Sequence, residues 1–215
     1  MSLLPFTSPC VIGVYGCQQS GKSYYVKRVL ENVKDMFTSQ TYNILYCYTI
    51  SQPIFEEMEM KIPNFVLHKG LPTDEKIEDL TRSGQHSILV LDDLMTEVSN
   101  SSQAEQLFTV YSHHRNMTII YLSQNAYYSG KKSKTISLQM HYLVLFRNPR
   151  DKSQICTLGR QLFPGKTKAF QSVYDDALSN PYSYLVIDLS PHSDQSYQLR
   201  TNIFPKEEPI VYRIL

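Results

Sequence analysis

The sequence predicts an α/β fold: a mainly parallel central sheet with helices on both faces. Two observations carry this. Short apolar runs that read as strands alternate with helix-period segments along the 215 residues. The runs are apolar throughout rather than alternating with polar residues, as strands buried on both faces must be. A third observation fixes the orientation. One glycine-rich turn sits between such a strand and a helix, and right-handed crossovers then gather the strand C-termini at one edge, where ligands bind.

Residues 1–9 contain two prolines and read as an extended lead-in. Cys10 to Tyr15 is the first buried strand. Gly16-Cys17-Gln18-Gln19-Ser20-Gly21-Lys22-Ser23 follows it and matches G-x-x-x-x-G-K-S, the Walker A pattern of a phosphate-binding P-loop. Tyr24 to Phe37 carries Val26, Val29, Leu30 and Val33 at helical spacing and reads as one helix. The glycines let backbone amides approach a phosphate, and the helix N-terminus adds partial positive charge. Gly16 through Tyr24 are therefore the candidate nucleotide contacts. Lys22 is placed for the β- and γ-phosphates, and the Ser23 hydroxyl for Mg²⁺.

Strands are expected at 42–48 and 65–68, with a short helix at 54–60 between them. Thr73 or Asp74 caps a helix that runs to about Arg82. Ser87 to Asp93 is an apolar strand ending in two carboxylates. Ser99 to Ser102 reads as a polar cap before a helix from Gln103 to His114. Met117 to Ser123 is the next strand, ended by Gln124-Asn125. A lysine-rich loop, Gly130 to Lys134, precedes a strand at 141–146. Helices at 151–160 and 167–179 lead to a last core strand at 184–189. One domain is expected over 1–215, its core about 10–190, with 191–215 an extension that adds an edge strand or reaches a neighbour.

Ile88-Leu89-Val90-Leu91-Asp92-Asp93 reads as a Walker B motif. The apolar strand brings the first carboxylate out beside the P-loop. Asp92 is assigned to Mg²⁺, and Asp93 to accepting a proton from an attacking water. Alone the pattern is weak; roughly 70 residues after a good Walker A it is specific. Gln124 is expected to emerge next to Asp92, where an amide orients water or senses the γ-phosphate. A plain polar strand terminus is an equal reading. Arg115, before that strand, and Arg147, after the following one, are candidates to stabilise transferred charge, with Arg115 preferred. Arginines at such places more commonly cap helices. Lys131, Lys132 and Lys134, with Tyr127 and Tyr128, suit phosphate contacts and base stacking; a solvated loop is as good a reading. These pieces define a P-loop NTPase of the ASCE/RecA-like type.

Charge is nearly balanced at +1, so nucleic acid would need a local patch. The four cysteines show neither a C-x-x-C pair nor metal spacing, which suggests a reducing compartment. No run approaches the ~18 apolar residues of a membrane span, and Met1 to Pro5 does not read as a signal peptide. A soluble, intracellular protein with no membrane partner is expected.

Gly16–Ser23, Ile88–Asp93, the segment from His113 to Asn125 and the strand ending in Arg147 together resemble the FtsK/HerA superfamily of P-loop ATPases. The likeness covers residues 10–190 and is strongest to the compact genome-packaging ATPases of poxvirus-like double-stranded DNA viruses and Polinton- or adintovirus-type elements. The stretch from Arg115 through Thr118 to Ser123-Gln124-Asn125 narrows the match. The resemblance implies ATP and Mg²⁺ as ligands and Gln124 as sensor. It also implies a homo-oligomeric ring, usually a hexamer, that pumps duplex DNA, with capsid portal or vertex proteins as further partners. The location implied is host cytoplasm or nucleus, or the virion. Asp93 departs from the more usual Glu at that position and has the shorter side chain.

Three other classes compete. A nucleoside or nucleotide kinase would use an Arg-rich lid, and the lid-like segment here is lysine-rich. A GTP switch would carry D-x-x-G and N-K-x-D, and neither occurs. A nucleotide-stabilised assembly subunit would turn over slowly.

Overall fold

A computed structural model describes residues 4–41, 43–125, 131–150 and 152–214. Nine strands among them form one sheet. They are β1 (Val11–Tyr15), β2 (Asn43–Tyr48), β3 (Phe65–Lys69), β4 (Ser87–Asp92), β5 (Met117–Ser123), β6 (Tyr142–Phe146), β7 (Tyr184–Asp188), β8 (Leu199–Thr201) and β9 (Ile210–Tyr212). Their order is β3-β2-β4-β5-β1-β6-β7-β8-β9. The first six run parallel. The strand that ends in Asp92 is therefore separated from the P-loop strand by β5.

The period of two explains the burial. Leu89 and Leu91 of β4 face one layer of helices, and Ile88 and Val90 face the other. Each such side chain, fully buried, contributes about 1.5–3 kcal/mol. One layer holds α1 (Lys22–Glu31), α2 (Val33–Met36) and α3 (Ile54–Lys61). The other holds α4 (Asp74–Thr81), α5 (Met95–Asn100), α6 (Ser102–Gln106), α7 (Ser112–His114), α8 (Lys131–Leu138), α9 (Lys152–Leu162) and α10 (Thr167–Ala177).

Several sequence expectations are corrected. The helix expected over 24–37 breaks at Asn32, whose side chain donates back to the Arg28 carbonyl at 2.8 Å and closes α1. Ser99–Ser102 is not all cap. Met95–Asn100 is already helical, and only Ser101 caps, accepting from Ala104 N. The following run holds a π-helical segment, Leu107–Tyr111, between α6 and α7. The lysine-rich loop is also corrected in part: residues 131–134 open α8, because Ile136 and Met140 bury one face of that segment. Tyr127, Tyr128 and Gly130 lie outside the described residues.

β7 has the apolar pattern of the parallel strands but runs antiparallel to β6, with Phe146 opposite Tyr184. Two helices connect them, and a pair of helices returns the chain to the sheet edge it left. Phe163 stacks on Phe170 at 5.2 Å where these helices meet. The segment beyond 190 then adds β8 and β9 to this sheet, both antiparallel. It also grips α1. The Tyr25 ring packs edge-on against Tyr184 and Phe204, and the Arg28 guanidinium lies 3.8 Å over Phe204 while pairing with Glu207.

A buried ion pair and a buried histidine bear on stability. Arg200 and Asp188 pair at 3.1 Å with side chains 3% and 5% exposed. Arg200→Met, which keeps the alkyl volume, leaves Asp188 buried without its counter-charge. It is expected to lose about 3–5 kcal/mol in urea unfolding. His86, 2% exposed, sits between the hydroxyls of Thr41 and Thr118. Burial pushes its pKa from 6.5 down to about 4. Between those values the unfolded chain binds a proton that the folded one refuses, so stability falls as pH drops through that window. The expected slope is about 1.4 kcal/mol per pH unit. It should be missing from His86→Gln when urea midpoints are compared at pH 7, 6 and 5.

Candidate nucleotide-binding site

The C-terminal ends of β1, β4, β5 and β6 meet at one edge, and Gly16–Gly21 joins β1 to α1 there. Gly16 N donates to the Ser123 carbonyl at 3.3 Å. A Cβ at Gly16 would lie 2.5 Å from the Phe146 Cβ and 2.7 Å from the Ser20 Oγ, so a side chain there would displace the loop. Gly21 caps α1 with φ 103, a left-handed angle that favours glycine. No side chain caps α1 and no acid occupies its first turn, so its N-terminal amides and dipole face the loop unneutralised. The Ser20 hydroxyl is buried without a hydrogen-bond partner. A narrow glycine cradle, free amides and an orphaned hydroxyl fit a phosphate chain.

Lys22 Nζ donates to the carbonyls of Gly16 at 2.7 Å and Cys17 at 2.9 Å, spanning the loop. Burial lowers its pKa, opposed by the charges of Asp92, Cys17 and Asp93. Ser23 Oγ donates to Asp92 Oδ2 at 3.2 Å, and Tyr46 OH donates to the same oxygen at 2.6 Å. Burial raises the Asp92 pKa, and these two hydrogen bonds act to lower it. Among the described residues no three His, Cys, Asp or Glu side chains cluster to hold a metal. The pair Ser23 and Asp92 fits Mg²⁺, which keeps its waters and takes further oxygens from phosphates rather than from a protein cage.

Asp93 is exposed and has φ 55, a sparsely populated conformation worth about 1–3 kcal/mol of strain. Thr49 Oγ1 donates to its carbonyl at 2.9 Å. Gln124 emerges after β5, between the P-loop and Asp92, as expected from the sequence. It lines a cavity of about 440 Å³ together with Gln18–Tyr24, Gln52–Ile54, Asp92 and Asp93. Lys22, Ser23, Asp92, Asp93 and Gln124 are thus brought together.

Arg115 is not among them. Arg115 precedes β5, at the opposite end of that strand from Gln124, a span of about 20 Å for a seven-residue strand. Its guanidinium lies 4.5 Å over the Tyr111 ring. Arg147 follows β6 beside the P-loop, and Cys17 Sγ donates to its carbonyl at 3.3 Å. Lys131, Lys132 and Lys134 have described backbone only.

Tyr46 and Thr49 were not found by sequence reasoning. Both belong to β2 or its end, and they matter because β2 pairs with β4, placing Tyr46 opposite Val90 and Tyr48 opposite Asp92. Nothing local to residues 43–49 announces that pairing.

No protein-family model matches this chain, and no curated protein does. Solved structures are similar in fold. The genome-packaging NTPase B204 from Sulfolobus turreted icosahedral virus 2, solved with ATPγS, superposes with a TM-score of 0.53 at 12% identity, over 96% of this chain and 98% of that one. The cytoplasmic domain of EssC gives 0.48 at 13% identity, and this chain spans 39% of its length. The Legionella pneumophila ATPase DotB gives 0.38 at 10% identity, over 63% of this chain and 40% of that one. The first likeness places the chain in the α/β P-loop NTPase fold; the other two add nothing to that assignment. Among the described residues no helix is long and apolar enough to cross a membrane.

Proposed function

We propose that this protein is an ATPase that drives double-stranded DNA into a viral or virus-like capsid as a homo-oligomeric ring. The observation that carries the ATPase reading is the corner formed by Ser23, Asp92 and Tyr46, with Asp93 and Gln124 lining the same cavity. The packaging reading rests on the stretch from Arg115 to Asn125 and on a fold shared end to end with a protein described as a genome-packaging NTPase.

In this reading the amides of Gly16–Gly21 and the Lys22 ammonium bind the β- and γ-phosphates. Lys22 exchanges the Gly16 and Cys17 carbonyls for phosphate oxygens. Mg²⁺ held at Ser23 and Asp92 would supply charge neutralisation on the phosphate oxygens. Tyr46 keeps Asp92 turned toward that position. Gln124 orients water, and Asp93 takes its proton as the oxygen attacks the γ-phosphorus and ADP departs with the bridging electrons. Arg115 is far from this site within its own subunit, so its proposed role is to reach the site of a neighbour in the ring; Arg147 lies beside the P-loop of its own subunit. Mixing Arg115→Ala with Asp93→Asn subunits is expected to recover activity that neither variant shows alone, read as phosphate release.

The deciding experiment measures ATP hydrolysis with and without long double-stranded DNA, alongside mass by size-exclusion light scattering. DNA-stimulated turnover by an oligomer is expected. A monomer that ignores DNA and phosphorylates a nucleoside would replace this function with a kinase. The same ring would act in the host cytoplasm or nucleus, or on the capsid, with portal or vertex proteins as its anchor.

A further inference from the structure

Ser23, Asp92, Asp93 and Gln124 all belong to the terminal-phosphate end of the site, on the side of β1 where β5 and β4 lie. β6 and β7 lie on the other flank of β1, away from these groups. Tyr182 stands on that flank. Its Cδ1 is 3.2 Å and its Cβ 3.5 Å from where a Cβ on Gly21 would be, so the residue packs directly on the last turn of the P-loop. It is 72% exposed.

The backbone that holds it there is unusual. Ser183 N donates to the Asn180 carbonyl at 3.3 Å, and Ser183 Oγ to the same carbonyl at 2.7 Å, closing a four-residue turn. Pro181 takes the first central position and Tyr182 the second, with φ 62. That second position favours glycine or asparagine, because a Cβ is strained at positive φ. A bulky aromatic there is not compensated by burial, since the ring remains in solvent. Tyr184, two residues on, is 6% exposed and fills the core, so Tyr182 is the aromatic of this loop that stays outside.

We infer that Tyr182 is the base-stacking platform of the site: its ring receives the purine base of a nucleotide whose phosphates occupy Gly16–Ser23. This rests on the nucleotide reading above and deepens it. Stacking reads ring area and not exocyclic groups, so Tyr182 favours any purine nucleotide over bare polyphosphate, with little choice between adenine and guanine.

The protein has no tryptophan, so Tyr182→Trp introduces a single one. ADP and GDP with Mg²⁺ are expected to quench its emission saturably, while inorganic tripolyphosphate, which fills the phosphate cradle alone, leaves it unchanged. Tyr182→Gly suits φ 62, so its thermal midpoint should not fall, yet its Kd for ADP should rise about ten- to a hundredfold with the Kd for tripolyphosphate unaltered. Tyr182→Phe should bind ADP like the parent. Equal losses for ADP and tripolyphosphate in Tyr182→Gly, or an unchanged Kd for ADP, would overturn the assignment. So would a base that instead lies over Gln52–Ile54 and leaves the tryptophan silent. Binding of neither ligand by the unmodified protein would overturn the nucleotide site itself.

Discussion

Lys22→Ala is expected to bind ATP at least about a hundredfold more weakly and to release no measurable phosphate. The ammonium is the one side-chain cation brought to the P-loop among the described residues lining the cavity. A charge-assisted hydrogen bond to a phosphate oxygen is worth about 1.5–3 kcal/mol, and the lysine reaches two phosphates. The variant also leaves the carbonyls of buried Gly16 and half-buried Cys17 without this donor. Without nucleotide, folding stability should therefore fall by about 1–3 kcal/mol, the cost of a buried acceptor left unpaired. Isothermal titration with a non-hydrolysable ATP analogue, beside a thermal melt, separates the two effects. Affinity within threefold of the parent would mean that the phosphates do not lie in this loop.

Asp93→Asn should leave nucleotide affinity within about twofold and lower hydrolysis by about 10²–10⁴, the span that a positioned general base contributes. The substitution keeps shape and removes only the ability to take a proton. It also keeps the backbone: Thr49 donates to the main-chain carbonyl, and asparagine accepts a φ of 55 at least as readily as aspartate. A folded, binding-competent and slow enzyme is the expected result in single-turnover phosphate release. Undiminished turnover would transfer the role of base to another group, with Gln124 and solvent left to position and deprotonate the water.

Much of the site was legible in the sequence because its pieces are local. Gly16–Ser23 is contiguous, Asp92 ends one apolar strand with Asp93 directly after it, and Gln124 directly follows another. What escaped were residues whose roles depend on which strands are neighbours. Tyr46 is simply one of several tyrosines on an apolar strand until β2 is set beside β4 and its hydroxyl meets Asp92. Tyr182 is one more exposed tyrosine until its loop lands on Gly21. The errors in the fold are of the same kind. Residues 131–134 look like a polar loop because their composition is polar, and only burial of Ile136 and Met140 makes them the start of a helix. Asn32 breaks α1 through a side-chain hydrogen bond that competes with the helix without altering its apolar spacing.

By itself, the sequence determined the α/β class, the place of nearly every core strand and the phosphate loop with its two carboxylates. Periodicity, turn chemistry and a contiguous motif are written within a few residues of one another. Only the tertiary structure decided that β7 runs backward, that residues 199–212 complete the sheet, and that Arg115 and Gln124 stand at opposite ends of one strand. An apolar strand reads the same in either direction, and its hydrogen bonds are satisfied by a parallel or an antiparallel partner. Direction, order and neighbour are set by the helices that return the chain to one edge or the other.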